Sequence, residues 1–285
     1  MGAILLENSY GKSAVRLTKV VRGAAGRHEL IELEAAIALE GDFGSAHTEG
    51  DNSRVLPTDT MKNTVYALAK DHAIETIEAF ALHLARHFVA TQAQVSLARV
   101  GLAQRSWKRA KVGGREHPHC FVAGSEERAT CEAEVARSPG GERIAGGLQG
   151  LVVLKTTDSG FSGFPRDRFT TLKETDDRVF ATSVAARWEY VSARVGFGSA
   201  RDAIRRALIE TFAGHKSRSV QETLYAMGEA ALGASGEISR VRLSMPNQHR
   251  LLADLTPFGM TNPNEVFVTT SEPYGLIEAT IGREP

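Results

Sequence analysis

The run LIELEAAIAL, residues 30–39, places an apolar residue at every second position, and this pattern limits the folds open to the chain. The alternate positions from Ile31 to Leu39 are all apolar, and Glu32 and Glu34 stand between them. Because successive side chains of a strand point to opposite faces, this run predicts a strand with one buried face. Half-buried strands of this kind are typical of antiparallel sheets.

A helix is predicted within VLPTDTMKNTVYALAKDH, residues 55–72, where extended chain gives way to apolar residues at helical spacing. The helix should begin near Thr58. Thr and Asp side chains at such a position accept hydrogen bonds from the first unpaired N–H groups, so we predict that Asp59 or Thr60 caps the helix. On this stretch alone, helix capping is a sufficient explanation for both Thr58 and Asp59.

The rest of the first half completes one pattern of secondary structure. A second helix is predicted by apolar residues that repeat at three- and four-residue spacing, namely Ile74, Ile77, Ala81, Leu84 and Phe88. Extended segments follow at residues 94–109 and 119–135, and VGGREHP between them predicts a hairpin. With an extended segment from Val15 as the first strand, the order of the first half is β-β-α-α-β-β.

A glycine-rich stretch, SPGGERIAGGLQG at residues 138–150, separates this pattern from a second copy of it. LQGLVVLKT and RVFATSVAARWEYVSARVGF predict strands, apolar repeats around Leu208 and Leu224 predict helices, and ISRVRLSM and HRLLADL predict the closing strands. We therefore predict two tandem domains, residues 1–140 and 141–285. The predicted fold class is α+β, with a four-stranded antiparallel sheet and helices on one face in each domain. Exposed sheet edges favour assembly of several chains.

Composition and charge narrow the class of partner. The chain has 34 Lys and Arg residues and 34 Asp and Glu residues, so no basic excess attracts nucleic acid or an anionic membrane. Its 285 residues, 42% of them apolar, can form sizeable cores. Cys120 and Cys131 are too few for a disulfide framework, and the start lacks a basic and apolar leader. We predict a cytoplasmic protein with a small-molecule partner and no membrane span.

Sequence motifs for the common cofactors do not occur. There is no Walker phosphate loop, dinucleotide-binding glycine fingerprint, serine elbow or zinc-binding H-E-x-x-H. His117, His119 and Cys120 in REHPHCF are residue types that bind metals, but they have no second ligand cluster, and surface hydrogen bonds explain them. The residues therefore carry no signature of a common cofactor, and they do not favour a metal site at REHPHCF.

Three further stretches are typical of functional loops, although capping, turn formation and packing also explain each of them. Residues 159–179, SGFSGFPRDRFTTLKETDDRV, form a long connection between predicted strands. HKSRSVQETLYAM places Val220 and Gln221 at the start of a helix. SMPNQHRL places Asn247 and His249 at a proline-bearing bend.

Six blocks together resemble the urate oxidase (uricase) family, in the family's order and spacing, over nearly the whole chain. They are YGKSAVRLTKV, GDNSRVLPTDTMKNTVYALAKDH, GLVVLKTTDSGFSGFPRDRFTTLKETDDR, SVQETLYAM, MPNQHRLLADL and EVFVTTSEPYGLIEATIGR. The resemblance implies cofactor-free oxidation of urate by dioxygen, giving 5-hydroxyisourate and hydrogen peroxide. It also implies two tunnelling-fold domains in each chain. Four such chains would form a barrel, with active sites at the subunit interfaces.

The resemblance also implies a set of substrate-binding residues. Arg178 matches the arginine that clamps the planar urate anion, and a guanidinium fork suits bidentate recognition of a carbonyl oxygen and a ring nitrogen. Gln221 matches the opposing amide, which can both donate and accept. Val220 would contribute its backbone, and Phe161 matches the ring that stacks on the purine.

Catalysis, by the same resemblance, rests on Lys12, Thr58 and His249. A lysine able to lose its proton would draw a proton from urate through the threonine hydroxyl, and His249 would extend this relay. Asn247 and Thr58 would line the space above the purine where dioxygen is held, and Asp59 would lie at the edge of the substrate. Thr58 and Asp59 would come from a neighbouring chain and meet the Lys12 of another, so a monomer should be inactive.

Four positions depart from the family pattern: Ser162, Ser183, Gln248 and Arg250 differ from the residues that relatives often carry there. None has a named catalytic role.

Two other functions remain open from the residues alone. The first is an enzyme of the same fold acting on another purine or a pterin, and the second is a purine-binding protein without catalysis. Lys12, Thr58 and His249 discriminate between them and a urate oxidase, because a protein that only binds purine has no use for a proton relay.

Overall fold

A computed structural model of the protein describes residues 2–138, 141–270 and 272–284. The chain is of the predicted α+β class and divides into two units. The first unit holds the chain up to Gly147 together with Glu189–Gly198, and the second holds Leu148–Trp188 and the chain from Ser199. The predicted domain boundary after residue 140 lies at residues outside the described part, and it stays a prediction.

The first unit follows the predicted order and adds one short helix. Its elements are β1 (Tyr10–Arg22), β2 (His28–Gly41), α1 (Gly44–Thr48), α2 (Thr58–Asp71), α3 (Ile77–Thr91), β3 (Val95–Val112) and β4 (Arg115–Ala136). The sheet has the order β1-β2-β3-β4, and all its neighbouring strands are antiparallel. Gly113 and Gly114 connect β3 and β4, both with positive φ, as a two-residue hairpin turn requires.

The second unit repeats this arrangement. Its elements are β5 (Glu142–Lys155, which begins in the first unit), β6 (Phe180–Tyr190), α4 (Phe197–Gly214), α5 (Val220–Ala234), β7 (Ile238–Gln248), β8 (Arg250–Leu252), β9 (Phe267–Thr269) and β10 (Gly275–Gly282). The strands β5, β6, β7 and β10 are neighbours in that order. β8 and β9 pair as a separate two-stranded sheet.

The predicted apolar faces form the cores of the two units. Leu33, Ala35, Ile37 and Leu39 of β2 are at most 2% exposed, which confirms the predicted alternation. α2 packs on β1, and α3 packs on β3 and β4. In the second unit α5 packs on β7 and β10, and the ring of Phe212 on α4 lies 5.1 Å from that of Phe180 on β6. Each helical repeat that the sequence predicted therefore covers one face of its own sheet.

Two strand predictions in the second half are wrong. HRLLADL was expected to be the fourth strand of the sheet, but only Arg250–Leu252 is extended, and it pairs with Phe267–Thr269. Leu251 and Leu252 are 55% and 49% exposed, so their hydrophobicity does not serve the core. The fourth position belongs to β10, an edge strand with few buried residues. The predicted strand around Trp188 is also shorter, because β6 ends at Tyr190.

The prediction that Asp59 or Thr60 caps α2 is also wrong. The helix begins at Thr58, its N-cap residue is Pro57, and no side chain makes a capping hydrogen bond. Asp59 instead accepts hydrogen bonds from Lys62 and from Asn63 Nδ2, the latter at 3.0 Å, within its own helix. The start of α2 is therefore set by the proline, and the Thr58 hydroxyl is not used as a cap.

One arginine closes the corner between α3 and β3 in the first unit. Arg137 follows β4, and its Nη2 donates to the carbonyl oxygens of Val89 and Gln92 at 2.6 and 2.7 Å. Its Nε donates to Val95 O, the first carbonyl of β3, at 3.0 Å. These bonds satisfy carbonyls that the end of a helix leaves without partners.

Arg283 makes the same contacts in the second unit. It follows β10, and its Nη2 donates to Leu232 O and Ser235 O at 2.7 and 2.9 Å. Its Nε donates to Ile238 O, the first carbonyl of β7, at 3.0 Å. The carbonyls stand at the same intervals along the chain as those bound by Arg137. The two units are thus repeats of one structural plan, down to individual hydrogen bonds.

We expect Arg137→Met and Arg283→Met each to lower the free energy of unfolding by about 1–2 kcal/mol, because several carbonyls lose a charged donor. The melting temperature should fall by roughly 2–6 °C in each variant, as measured by differential scanning calorimetry. Arg16→Met is the matched control. Its guanidinium makes one ion pair with Glu34 on a side chain that is 78% exposed, and such pairs contribute little. Equal losses in all three variants would contradict the role of the two closing arginines.

Candidate active site

A pocket of about 370 Å³ in the second unit brings together six of the predicted site residues: Phe161, Arg178, Val220, Gln221, Asn247 and His249. This volume lies in the usual range for small-molecule sites. The pocket lies where the loop after β5, the start of α5 and the end of β7 meet. Two independent strands and one helix therefore position its polar groups.

A larger cavity of about 850 Å³ lies in the first unit, but both of its arginines already have partners. Of its arginines, Arg54 donates to Asp42, and Arg137 is bound to the carbonyls described above. None of the predicted site residues lines it. Since a binding site needs polar groups that are free for a ligand, the smaller pocket is the stronger candidate.

Phe161 is held by its backbone in a loop without regular structure. Its N–H donates to Thr175 O at 2.7 Å, and its carbonyl accepts from Thr175 N at 3.1 Å. Gly160 must be small, since a Cβ there would lie 3.0 Å from Thr175 O. The ring of Phe164 stacks on the Phe161 ring at 5.0 Å with an interplanar angle of 15°. The Phe161 ring is thus fixed on one side and can offer its other face to a planar ligand.

Arg178 lies beside this ring with part of its guanidinium unpaired. Its Cζ is 5.6 Å from the centroid of the Phe161 ring. Its Nε is buried and has no hydrogen-bond partner among the described residues. Burial lowers the pKa of Arg178, but guanidinium groups stay protonated in proteins. A buried donor without a partner is unfavourable, and a ligand oxygen or nitrogen in the pocket would satisfy it.

The N-terminus of α5 forms another wall of the pocket. Ser219 is the N-cap residue, and its Oγ accepts from Glu222 N at 3.1 Å, while its carbonyl accepts from Thr223 N at 3.2 Å. A helix start leaves four N–H groups without a partner in the helix, here those of residues 219–222. The amides of Val220 and Gln221 are two of the three that the Ser219 hydroxyl does not satisfy. Val220 is 4% exposed, whereas the Gln221 side chain is exposed. The pocket therefore receives the positive end of a helix dipole together with free N–H groups.

Asn247 and His249 approach from the end of β7. Asn247 lies within the strand and pairs with Gly275 of β10, so the predicted bend begins only after it. The His249 carbonyl accepts from Thr270 N and from Arg250 Nη1, each at 3.1 Å. The backbone of His249 is thus held from two sides, and its imidazole lines the pocket, half-buried.

The charge of the pocket selects the kind of ligand. Arg178 and Arg250 line it, and among its described lining residues no side chain is acidic. Together with the N-terminus of α5, these cations favour an anion. The flat ring of Phe161 favours a planar one.

Sequence reasoning did not find the remaining lining residues. They are Leu172, Thr175, Val179, Leu251, Leu252 and Ile277, together with Arg250, which was noted only as a departure from the family pattern. Leu251 and Leu252 were assigned to a core strand instead. The others lie in an irregular loop or in an edge strand, where periodicity carries no signal.

Lys12, Thr58 and Asp59 lie in the first unit and do not line this pocket. Lys12 stands on β1 where the register with β2 shifts, between Lys12 and Val15. A Cβ at Gly11 would lie 1.8 Å from Ile37 O, and Ala14 has a φ of 55°, so the strand is bulged around the lysine. Such bulges re-aim side chains at functional positions.

The charge of Lys12 acts on Asp59 of the same chain. The pKa of Asp59 is lowered, chiefly by the hydrogen bond and charge of Lys62, and Lys12 contributes to the shift. Asp59 adjoins Thr58, so Lys12 and the start of α2 are close within one chain. Thr58 was expected to meet the Lys12 of a different chain, whereas this proximity is within one chain.

Two observations bear on other partners. His117 and His119 pack against each other with ring centroids 4.5 Å apart, and no group of three or more His, Cys, Asp or Glu in the described ranges could hold a metal ion. Among the helices of the described residues, none is long and apolar enough to cross a membrane.

Comparison with known proteins identifies the fold and the family. The crystal structure of the uricase from Arthrobacter globiformis superposes with a TM-score of 0.94 and 45% identity, covering 100% of this chain and 96% of that one. The protein is therefore a tunnelling-fold enzyme with two such domains in tandem, as the resemblance implied.

The sequence comparisons agree with the structural one. The family model described as Uricase matches residues 8–134 and 144–278. The uricase of A. globiformis is 46% identical over 99% of this chain and 90% of its own length, and that of Danio rerio is 39% identical over 98% and 95%. The chain belongs to the uricase family, and it is accordingly a urate oxidase, an oxidoreductase.

Proposed function

We propose that the protein oxidises urate with dioxygen to 5-hydroxyisourate and hydrogen peroxide, without a metal or organic cofactor. The observation that carries this proposal is the buried and unpaired Nε of Arg178, beside an aromatic face in a pocket whose described lining has no acidic side chain. Urate is a planar anion at neutral pH and fits this description. The products and the independence from cofactors follow from the family resemblance.

In the bound complex Arg178 and the start of α5 would grip opposite edges of the purine. The guanidinium fork would donate to one carbonyl oxygen and bind the adjacent ring nitrogen. The Val220 N–H and the Gln221 amide would bind the other edge. Phe161 would stack under the ring, leaving the opposite face open. Asn247 lies on a different element and would hold dioxygen, and later water, over that face.

The remaining step is removal of a proton from the urate monoanion. A dianion is more electron-rich and gives electrons to dioxygen more readily. Lys12 would take the proton through the Thr58 hydroxyl, and His249 would carry protons onward. Urate then loses two electrons, dioxygen gains these with two protons to leave as peroxide, and water adds to the purine carbon. Asp59 would lie at the edge of the substrate.

We propose further that Lys12, Thr58 and Asp59 reach the pocket from a neighbouring copy of the chain, and that all three come from the same copy. Their proximity within one chain supports this revision of the expectation that Thr58 and Lys12 belong to different chains. The assembly would be a homotetramer that forms a barrel. The cytoplasm stays the expected compartment, because both cysteines are free thiols.

The experiment is to mix the purified protein, pretreated with a chelator and free of added flavin, with urate in air. Urate absorbance, oxygen consumption and peroxide are followed together. We expect equal molar amounts of urate and oxygen to disappear as peroxide appears. Loss of activity on chelation, restored only by a metal, would refute cofactor independence. Turnover of xanthine or a reduced pterin in place of urate would support the alternative enzyme, and purine binding without turnover would support the non-catalytic alternative.

A further inference from the structure

Lys155, at the end of β5, lies outside the pocket and makes an unusual set of contacts. Its Nζ donates to the carbonyl of His215, the residue that follows α4. The same nitrogen lies 5.6 Å from the centroid of the Phe212 ring. Burial lowers the pKa of Lys155, and the charge of Asp158 opposes that shift. The ammonium is thus partly removed from water and held at the negative end of a helix.

The segment that Lys155 holds, residues 215–219, joins the two walls of the pocket. Ser217, 2% exposed, donates its N–H to Asp158 O at 2.9 Å and accepts from Gly160 N at 2.8 Å. Its Oγ donates to Ser219 O at 3.0 Å, and Ser219 is the N-cap of α5. One side of the segment is therefore bonded to the loop that carries the aromatic ring, and the other begins the helix that carries the free amides.

We propose that Lys155 is a positioning residue that sets the distance between the Phe161 ring and the N-terminus of α5. Phe161 follows Gly160 directly, and Val220 follows Ser219 directly, so a shift of the 215–219 segment displaces both walls together. The inference rests on the proposed function, because it assumes that these walls bind the purine. Loss of Lys155 should weaken purine binding more than it slows the chemical step.

The first unit supplies a matched control in Lys19. It stands on β1, and its Nζ donates to Ala69 O and His72 O at 2.5 Å, at the end of α2. It therefore binds the end of α2, as Lys155 binds the end of α4. The chain after His72 leads to no predicted site residue, so Lys19 offers the same structural role without the proposed functional one.

The test compares Lys155→Met, Lys155→Arg and Lys19→Met in the full-length assembled protein. Steady-state kinetics with urate give KM and kcat, and calorimetry gives the dissociation constant of xanthine, a planar purine. We expect Lys155→Met to raise KM and this constant about tenfold, with kcat within roughly threefold of the wild type, since small displacements weaken aligned contacts. Lys155→Arg should restore most of the affinity. Lys19→Met should lower the melting temperature and leave both constants within about twofold.

Hydrogen exchange of the backbone separates this inference from the proposed function. We expect the amides of Ser217 and Gly160, which form the hydrogen bonds between the segment and the loop, to exchange faster in Lys155→Met than in the wild type, whether or not urate is the substrate. Unchanged exchange there, or unchanged KM and dissociation constant, would overturn the inference. Failure of the proposed function would appear instead in the wild type, as absence of urate loss. If Lys155→Met does not fold, Lys155→Gln, which keeps a donor but no charge, is measured for the same changes.

Discussion

Replacing Arg178 with alanine is expected to lower kcat/KM for urate by about 100- to 1000-fold, the scale on which loss of a buried charged hydrogen-bonding group weakens recognition. The guanidinium is the buried cation beside the Phe161 ring, and its Nε has no partner among the described residues. In the complex, hydrogen bonds to the substrate would offset the free-energy cost of burying this group. The variant loses those bonds and the charge that offsets the anion. Steady-state kinetics and direct urate-binding measurements in the absence of oxygen check the result.

Two further variants sharpen this test. Arg178→Lys keeps the charge but not the planar fork, so it should recover only part of the loss. Arg242→Ala is the matched control in the same unit, because its side chain is 61% exposed and forms one ion pair with Glu278 at 3.1 Å. We expect Arg242→Ala to stay within about twofold of the wild type, as surface pairs contribute little. An Arg178→Ala enzyme that also stays within this range would exclude Arg178 from the site.

Lys12→Met and Thr58→Ala are expected to lower kcat by about two orders of magnitude or more, the usual contribution of general acid–base groups. Urate affinity should change less, because Phe161, Arg178 and the start of α5 are proposed to make most of the contacts with the purine. Single-turnover kinetics in stopped flow separate the chemical step from binding. A variant with wild-type kcat would remove its residue from the relay.

Mixing variants tests whether the site is shared between chains. Lys12→Met and Arg178→Ala chains are unfolded, mixed in equal amounts and refolded together. If each site takes Arg178 from one chain and Lys12 from another, random pairing should restore about a quarter of wild-type activity, since symmetric interfaces generate one intact site in each mixed pair.

The matched control for this mixture is Lys12→Met refolded with Thr58→Ala. If both residues come from the same chain, every site lacks one of them, and no activity returns. Rescue in this control would show that Lys12 and Thr58 come from different chains. Absence of rescue in the first mixture would contradict a shared site.

The parts of the fold that sequence predicted well are those dominated by burial. β2 shows its alternation because one of its faces packs in the core between Leu33 and Leu39. α3 and α5 show apolar residues at helical spacing because each helix packs one face on a sheet. Burial of apolar side chains stabilises these elements, and it also requires apolar residues at regular positions, so the pattern can be recognised in the sequence.

The parts that sequence missed are stabilised by other means. β10 is an edge strand, with Leu276 58% exposed, so it is defined by backbone pairing with β7 and not by a buried face. The cap of α2 failed as a prediction because Pro57 starts the helix without any side-chain hydrogen bond. Phe161 is held by backbone hydrogen bonds in an irregular loop, and Arg178 lies at the end of the same loop, where no periodic pattern marks either residue. The roles of these two came from the family resemblance and stay predictions.

The shared plan of the two units bears on how many purines one chain can hold. Thr76 caps α3 as Ser219 caps α5, so Glu78 occupies in the first unit the place that Gln221 has in the second. Gln221 is exposed to a pocket, whereas Glu78 is 0% exposed and accepts a hydrogen bond from Tyr190 Oη at 3.3 Å. The two units therefore share the capped helix start, but only the second unit has a residue at this position that faces a pocket. We therefore expect each chain to bind one equivalent of urate, although it is built from two similar units.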